Sequence, residues 1–403
     1  MRFETYEEAE QWVLGRKSIL VYYEPFAEAM HMLGDPQNGL SYVHVAGTNG
    51  KGSTCRFLYD ICQKQYPKVG LYTSPHLENI RDRIRINDQW IPEEVFLRYV
   101  NDHMDVIEAC NLGMVGICTM MCFLWFQEEQ VDLAVLEVSM GGRYDTTNVI
   151  RNPLVSVITS ISYDHMNFLG NTLQEIAGEK AGIIKEHCPV VLGRLPEKAY
   201  EVIAAYAADM QAPLKCFPDS FSETEDGFVL KGVRYTLGSA VSYQKRNAAV
   251  SLCAAEEIGI DITSEAVKES IHSSVWPGRY EVIRHHPKII LDGAHNPEGI
   301  EALLEASSAE PRPKIAVFSA LKDKQGQQMR KQLEESFDEV ITTGFAHVRA
   351  DSTDHLGGSC VISDWKEAIE TAVRKAGENG TVIITGSLYF ISAVRAYLKN
   401  KKQ

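Results

Sequence analysis

Short apolar, β-branched runs alternate along this chain with segments of helix length. The first part carries "SYVHVAG", "VDLAVLEV", "PLVSVITSI" and "PVVLG", and a second series follows with "KIILDGAHN", "KIAVFSAL", "EVITTG" and "TVIITGS". Continuous apolar strands separated by helical segments predict α/β architecture with parallel sheets. Between the two series lies "IHSSVWPGRYEVI", where Pro277-Gly278 interrupts a helix-like segment. The boundary is therefore expected near residue 277, giving domains 1–277 and 278–403. Irregular β-like sequence, "GFVLKGVRYTLG", precedes it, and no internal repeat is visible. A chain of 403 residues fits two or three domains, and clefts between domains commonly hold ligands.

The longest uncharged run, Ala109 to Gln127, is short for a membrane span and is bracketed by acidic sequence, so it reads as a helix buried against a sheet. Cys118 and Cys122 lie inside it and read as buried thiols rather than metal ligands. Nine cysteines without a CxxC pair fit a reducing compartment, and the acidic N-terminus is no signal peptide. A cytoplasmic protein, monomeric and without a membrane partner, is expected. A formal net charge of -14 argues against general nucleic-acid binding, because a polyanion would meet repulsion over most of the surface.

One stretch carries chemistry on its face: "YVHVAGTNGKGSTCRF", Tyr42 to Phe57. Tyr42 to Ala46 reads as a strand and Gly47 to Gly52 as a glycine-rich turn. A helix is expected from Ser53, with Phe57, Leu58, Ile61 and Cys62 at helical spacing. Strand, glycine loop and helix N-terminus make an anion site, since free backbone N–H groups and the helix dipole both favour negative charge. Lys51 would reach the β- and γ-phosphates of ATP, and the Ser53 or Thr54 hydroxyl would ligate Mg²⁺. The loop departs from GxxxxGK[ST], because Gly52 separates Lys51 from Ser53.

Further candidates follow from position. Glu137 ends an apolar strand, where ATPases hold Mg²⁺. Asp292 ends "KIILD", at the ligand-bearing edge of the second parallel sheet. "NTLQEIAGEKAGIIK" opens with a capping box, Thr172 with Glu175, and its apolar stripe of Leu173, Ile176, Ala177 and Ile184 also takes in Lys180. A lysine on a buried stripe must snorkel, find an acid or be neutralised. Lys185, at the helix end, reads as an ordinary exposed lysine. Arg81, Arg83 and Arg85 alternate with apolar residues, which suits an anion contact and equally an ordinary half-exposed strand.

"GTNGKGST" resembles the loop of folylpolyglutamate and dihydrofolate synthases, members of the Mur ligase superfamily. "LYTSPHLENIRDRIRIN", "LEVSMGGRYDTTN", "SYDHMNFLGNTLQEIAGEKAGIIK", "YQKRNAAVSL", "WPGRYEV", "LDGAHNPEG", "SALKDK" and "TGSLYF" follow in family order, with Ser139, Met140, Tyr144 and Thr146 departing from the usual pattern. The resemblance implies a P-loop-containing parallel-sheet ATPase domain followed by a smaller Rossmann-like α/β domain. It also implies an ATP-dependent ligase adding L-glutamate to dihydropteroate or a reduced folate through an acyl phosphate. Gly47 to Thr54, with Asn247, Arg279, Asp292 and His295, would surround ATP, shared between the domains. Glu137 would contact two Mg²⁺ ions, with Ser53 and Ser74 near the first. His165 would ligate the second, toward which Lys180 would reach as a carbamate. Ser74, Pro75, His76 and Arg81 would lie by the pterin. Lys51, Glu137, His165, Lys180 and Arg279 form the implied catalytic set, while Arg143 and Asp145 receive no role. A different Mur-type amino-acid ligase is disfavoured because the loop begins about forty residues in, with no separate UDP-binding domain before it. A P-loop ATPase module without ligase activity is the alternative of another class.

Overall fold

The computed structural model describes residues 2–16, 23–239 and 241–400. They divide into two compact units. Unit 1 comprises 1–162, 169–238 and 245–274, and unit 2 comprises 163–168, 239–244 and 275–403.

Unit 1 is built on an eight-stranded sheet of β1 (Tyr42–Ala46), β2 (Val69–Tyr72), β3 (Ile84–Ile86), β4 (Gln89–Trp90), β5 (Leu133–Glu137), β6 (Val155–Ile158), β7 (Val190–Leu192) and β8 (Leu214–Lys215). The order is β4-β3-β2-β5-β1-β6-β7-β8. Neighbours from β2 to β8 pair in parallel, and β3 and β4 extend the edge antiparallel. Strands β1 and β5 are buried at every residue, as continuous apolar runs in a sheet covered on both faces should be. Helix Met114–Glu128 is apolar all round and buried along most of its length. It comes close to β2 at Gly70, where an added Cβ would lie 2.8 Å from the Phe126 ring. The two thiols on this helix are buried, which pushes Cys118 up to about 11 and Cys122 well above the ordinary thiol range. No helix among the described residues is long and apolar enough to cross a membrane.

The segment read as irregular β forms an antiparallel three-stranded sheet of β9 (Ser222–Thr224), β10 (Gly227–Leu230) and β11 (Val233–Thr236). Phe228 and Tyr235 stack across it at 5.2 Å. "IHSSVWPGRYEVI" is helical only to Ser273, and a turn then leads into a strand at Glu281. Its pattern mixes a helix end with the start of a strand, so a single period misreads it.

Unit 2 carries β12 (Glu281–His285), β13 (Lys288–Leu291), β14 (Lys314–Phe318), β15 (Glu339–Thr342), β16 (Cys360–Val361) and β17 (Thr381–Thr385). Their order is β12-β13-β17-β14-β15-β16, with only β12 antiparallel to its neighbour. Phe318, Ile383, Met329 and Leu333 are fully buried members of its core.

His44 is an unexpected member of the unit 1 interior, fully buried within β1. Its Nε2 lies 2.8 Å from Thr147 Oγ1, and Thr147 donates its own hydroxyl hydrogen to Asp145 Oδ1 at 2.6 Å. The hydroxyl oxygen therefore accepts from Nε2–H, which leaves Nδ1 a lone pair without a hydrogen-bond partner. Burial, helped by the Lys185 charge, pulls the His44 pKa down to about 3. The unfolded chain takes up a proton below about pH 6.5 that the folded chain refuses. This contribution to stability is complete above that pH and is lost as pH falls toward about 3. Urea unfolding of the wild type at pH 7, 6 and 5 is expected to show stability falling with acid more steeply than in His44→Gln, by up to about 1.4 kcal/mol per pH unit. Parallel slopes would mean that folding leaves the His44 pKa unchanged.

Candidate functional site

The parallel register brings four strand ends of unit 1 to one edge. Val45 of β1 pairs with Glu137 of β5, Ala46 pairs with Ile158 of β6, and Tyr72 of β2 pairs with Leu136. The glycine loop leaves β1 at this edge, Ser74 follows β2, and Thr159 follows β6. Helix Lys51–Cys62 starts two residues earlier than the sequence pattern suggests, directly after Gly50 at φ 83°. No side chain caps it, so its first-turn N–H groups face outward as an anion site requires.

The loop is held by the strand beside it. Thr159 Oγ1 donates to Asn49 O at 2.6 Å, and Asn49 N donates to Ser160 Oγ at 2.9 Å. Thr48 N donates to Ser160 O at 2.8 Å, and Ser162 N donates to Thr48 Oγ1 at 3.0 Å. Sequence reasoning missed these residues, since Thr and Ser after a strand carry no distinct signal. Asn247 lies over Gly50, its Oδ1 2.4 Å from where a Cβ would stand, so the structure does bring Asn247 to the loop.

Lys51 folds back on its own loop, its Nζ donating to Gly47 O at 3.0 Å and Thr48 O at 3.1 Å. Lys180 is buried and donates to the same Gly47 O at 2.9 Å. The capping box of Thr172 and Glu175 is present, and helix Leu173–Ala181 buries Ile176, Ala177 and Lys180 together. Gly142 fits against this helix only because it lacks a side chain: a Cβ would meet Glu179 O at 2.9 Å and Lys180 O at 3.0 Å. Lys185 is not the exposed lysine expected. Its Nζ donates to Asn148 O at 3.3 Å, and burial lowers its pKa, because the chain turns inward after the helix ends.

Glu137 is buried, and its Oε2 accepts the Ser74 N–H at 2.9 Å. The Cys55 thiol feels both the Glu137 charge and the Lys51 charge, although burial dominates its upward shift, so these two side chains flank one point of the helix. Ser53 and Thr54 are buried beside it in sequence, and Thr54 Oγ1 makes no hydrogen bond. A carboxylate, hydroxyls and one unpartnered hydroxyl oxygen make a hard-oxygen donor set, which fits Mg²⁺. Among the described residues no three His, Cys, Asp or Glu side chains cluster as a metal site, so a site here must draw on hydroxyls or a modified group.

Arg143 and Asp145, which sequence left without a role, support this edge. Asp145 accepts from Ser139 N, Met140 N, Thr147 N and Thr147 Oγ1, bracing the turn after β5, and burial raises its pKa despite them. The Arg143 guanidinium donates to Gly178 O and lies 5.6 Å over the Tyr206 ring.

The arginine run differs from an alternating strand. Asn79 and Asp82 form a capping box, so Ile80–Arg83 is a 3-10 turn and β3 begins only at Ile84. Arg81 pairs with Glu93 at 2.6 Å and lies over Tyr6 and Trp90. Arg83 is buried and donates to His76 Nδ1 at 3.1 Å, while Pro75 is half-buried beside Ser74.

In unit 2, Asp292 directly follows β13 and accepts from Tyr243 OH at 2.7 Å, Tyr280 N at 2.9 Å and Ala294 N at 2.9 Å. Burial raises its pKa, partly offset by Tyr243 and the nearby Arg279 charge. A Cβ on Gly293 would come within 2.5 Å of the Arg279 guanidinium, which places Arg279 on the Asp292 turn. His295 Nδ1 lies 2.8 Å from Gly293 O and therefore donates, and burial lowers the ring's pKa. His165 belongs to this unit, beside Asp164 and Lys324, with Asp164 3.6 Å from His295 Nε2. Burial pushes Asp164 up, but His295 and the Lys324 charge overcome it and hold the carboxyl well below its usual range. Asp164 and Lys324 were also missed, although both sit inside quoted motifs. A cavity of about 500 Å³, lined by residues including Tyr23, His31, Gln37 and Arg151, contains none of the predicted site residues.

The Mur ligase middle domain family matches residues 116–206, and the Mur ligase glutamate ligase domain family matches 278–388. A dihydrofolate synthase/folylpolyglutamate synthase of Bacillus subtilis (strain 168) is 38% identical, covering 98% of this chain and 100% of its own length. The structure of E. coli FolC in complex with DHPP and ADP is 28% identical, with a TM-score of 0.89 over 99% of each chain. A bifunctional folylpolyglutamate synthase/dihydrofolate synthase with Mn, AMPPNP and L-glutamate bound is 27% identical, with a TM-score of 0.87 over 98% of each chain.

Gly50 tests the loop directly. In Gly50→Ala the Cβ strikes Asn247 and the residue must hold a left-handed conformation. Calorimetry is expected to show ADP affinity reduced roughly tenfold or more, since at least about 1.4 kcal/mol of strain falls on the binding loop. Gly178→Ala, whose Cβ meets nothing within 4 Å, should bind normally. Equal affinities for the two variants would remove Gly50 from the site.

Proposed function

The chain belongs to the dihydrofolate synthase/folylpolyglutamate synthase family of Mur ligases, and we propose from that premise how its residues divide the reaction. The enzyme is an ATP-dependent ligase that joins L-glutamate to folates. The acceptor carboxylate is that of dihydropteroate, a reduced folate, or both. Its oxygen takes the γ-phosphoryl group of ATP, giving an acyl phosphate and ADP. The glutamate amine then attacks the carbonyl carbon, phosphate leaves with the C–O bond's electron pair, and the amine loses a proton to leave an amide.

The observation that carries this reading is the convergence of Lys51 and Lys180 on one carbonyl of the glycine loop, beside buried Glu137. With phosphate in the loop, Lys51 exchanges the Gly47 and Thr48 carbonyls for the γ-phosphoryl oxygens and neutralises charge as it transfers. The loop N–H groups and the start of helix Lys51–Cys62 bind the phosphates, and Asn247 fixes the loop from above. Mg²⁺, when bound, supplies further charge neutralisation on the phosphates, and Ser53, Ser74 and Glu137 would hold it. His165 is the proposed ligand of a second ion. In unit 2, Arg279, Asp292 and His295 form the proposed nucleotide-facing turn. Ser74, Pro75, His76 and Arg81 are the proposed pterin contacts, with Arg81 reaching the acid only by giving up Glu93. A cytoplasmic monomer with an ATP-binding domain to residue 277 and a ligase domain beyond it, apart from segments 163–168 and 239–244 that belong to unit 2, completes the proposal.

Lys180 is proposed to be carbamylated. Its Nζ and that of Lys51 both touch Gly47 O, so the two stand no more than about 6 Å apart in a buried place. Two ammonium charges there repel, which favours the neutral amine that CO₂ requires. Attack of that amine on CO₂ forms an N–C bond, releases a proton and converts the group to an anion, while the remaining N–H still serves Gly47 O.

Product analysis with ATP, L-glutamate and either dihydropteroate or a tetrahydrofolate should yield amide, ADP and phosphate with at least one acid. Glutamate-independent ATP hydrolysis without amide would refute the ligase reading. Lys51→Ala should remain folded and lose roughly a thousandfold or more in turnover. Protein equilibrated with ¹³CO₂ should show a carbamate carbon signal that disappears in Lys180→Ala, and a signal that persists in the variant would place the carbamate elsewhere.

A further inference from the structure

Asp164 and His165 lie on the short segment Tyr163–Phe168 that packs within unit 2, and Lys324 lies on the turn after β14. The Lys324 ammonium is 2.5 Å from Asp164 Oδ1 and 3.2 Å from His165 Nε2. The lysine and aspartate side chains are each more than nine-tenths buried, at 5% and 8% exposure. Asp164 is also served by its neighbours: His165 N donates to Oδ1 at 2.9 Å, and Asn296 Nδ2 donates to Oδ2 at 3.4 Å. The carboxylate therefore does not need the lysine to reach across to the imidazole as well.

That second contact has a chemical consequence. An ammonium donates three hydrogens and accepts nothing, so His165 Nε2 must supply its lone pair to Lys324. The neutral ring then carries its proton on Nδ1. A metal ion binds histidine through the one lone pair of neutral imidazole, and that lone pair is already engaged. Binding through Nδ1 instead would require a ring with no proton at all. Lysine and metal are thus alternatives at a single nitrogen.

We propose that Lys324 is an internal counter-cation for His165. It occupies Nε2 while metal is absent, and a metal ion enters the His165 coordination only as the Lys324–His165 contact breaks. The inference rests on the proposed role of His165 as a metal ligand and adds to it a built-in competitor. In the metal-free protein Lys324 orients the ring and fixes its tautomer while holding its contact to Asp164. On loading, the same lysine sets how tightly the ion is held, which makes it a positioning residue.

Two measurements test this, and the first needs no variant. Long-range ¹H–¹⁵N spectra of the metal-free, histidine-labelled wild type should show His165 as the Nδ1–H tautomer. In the second, Mn²⁺ is titrated into AMPPNP-bound protein and followed by electron paramagnetic resonance. Lys324→Met should bind the His165-dependent ion at least threefold more tightly than wild type, and the gain should vanish in Lys324→Met/His165→Ala. An Nε2–H tautomer in the wild type overturns the proposal alone. So does unchanged or weaker Mn²⁺ binding in Lys324→Met, provided the variant's remaining histidine signals match the wild type. If His165→Ala leaves Mn²⁺ stoichiometry and affinity unaltered, the ligand role itself fails and the competitor falls with it.

Discussion

Lys51 and Lys180 both donate to the carbonyl oxygen of Gly47, and the unit 1 site is arranged around that meeting. A carbonyl can satisfy two donors, but it cannot by itself cancel the charge of two lysines in a buried place, so one must be paired or neutralised. The edge supplies the compensation piecemeal: Glu137 at the end of β5, loop carbonyls that accept from Lys51, and room at the helix start for an anion. The chain as a whole is strongly acidic, so its cations act locally, where a fold places them against specific oxygens. The clamp of Thr159, Ser160 and Ser162 keeps the loop from collapsing under this load.

Three buried aspartates show how surroundings set the charge of one residue type. Asp145 accepts four hydrogen bonds and Asp292 accepts three with the Arg279 charge nearby, yet burial lifts both, since these only partly replace lost water. Asp164 is buried to a similar depth, but a full cation in contact reverses the sign. The first two therefore act as braces for turns, holding the chain after β5 and after β13. Asp164 acts as a fixed negative charge around which Lys324, His295 and Asn296 are organised.

Much of this was legible in the chain. The eight strands of the two apolar series stand where periodicity put them, because a strand buried on both faces must be continuously apolar. Thr172 with Glu175 announced its helix, and Lys180 on the stripe announced a buried cation. The misreadings share a cause, which is that local pattern carries no tertiary partner. Arg81, Arg83 and Arg85 mimic alternation, but Asn79 and Asp82 cap a turn that starts there instead. Lys185 looks like a solvent-exposed helix end until the chain folds it toward Asn148. Lys324 and Asp164 lie 160 positions apart, and only the fold brings a lysine in one quoted motif onto an aspartate in another. His44 gave no sign at all, since a histidine inside an apolar strand has the same pattern as any buried residue.

Unit 2 is not one continuous stretch of chain: its residues 163–168 and 239–244 are interleaved with unit 1 sequence. A ribosome therefore finishes most of unit 1 while holding two orphan pieces whose sheet has yet to be made. Tyr243, destined for Asp292, and Asp164, destined for Lys324, emerge well before their partners. During synthesis these polar side chains remain in water and cost nothing. Afterwards each joins an early segment to a late one, so unit 2 can order only once its later strands exist, and a chain severed at residue 277 would carry both fragments without the sheet they pack with.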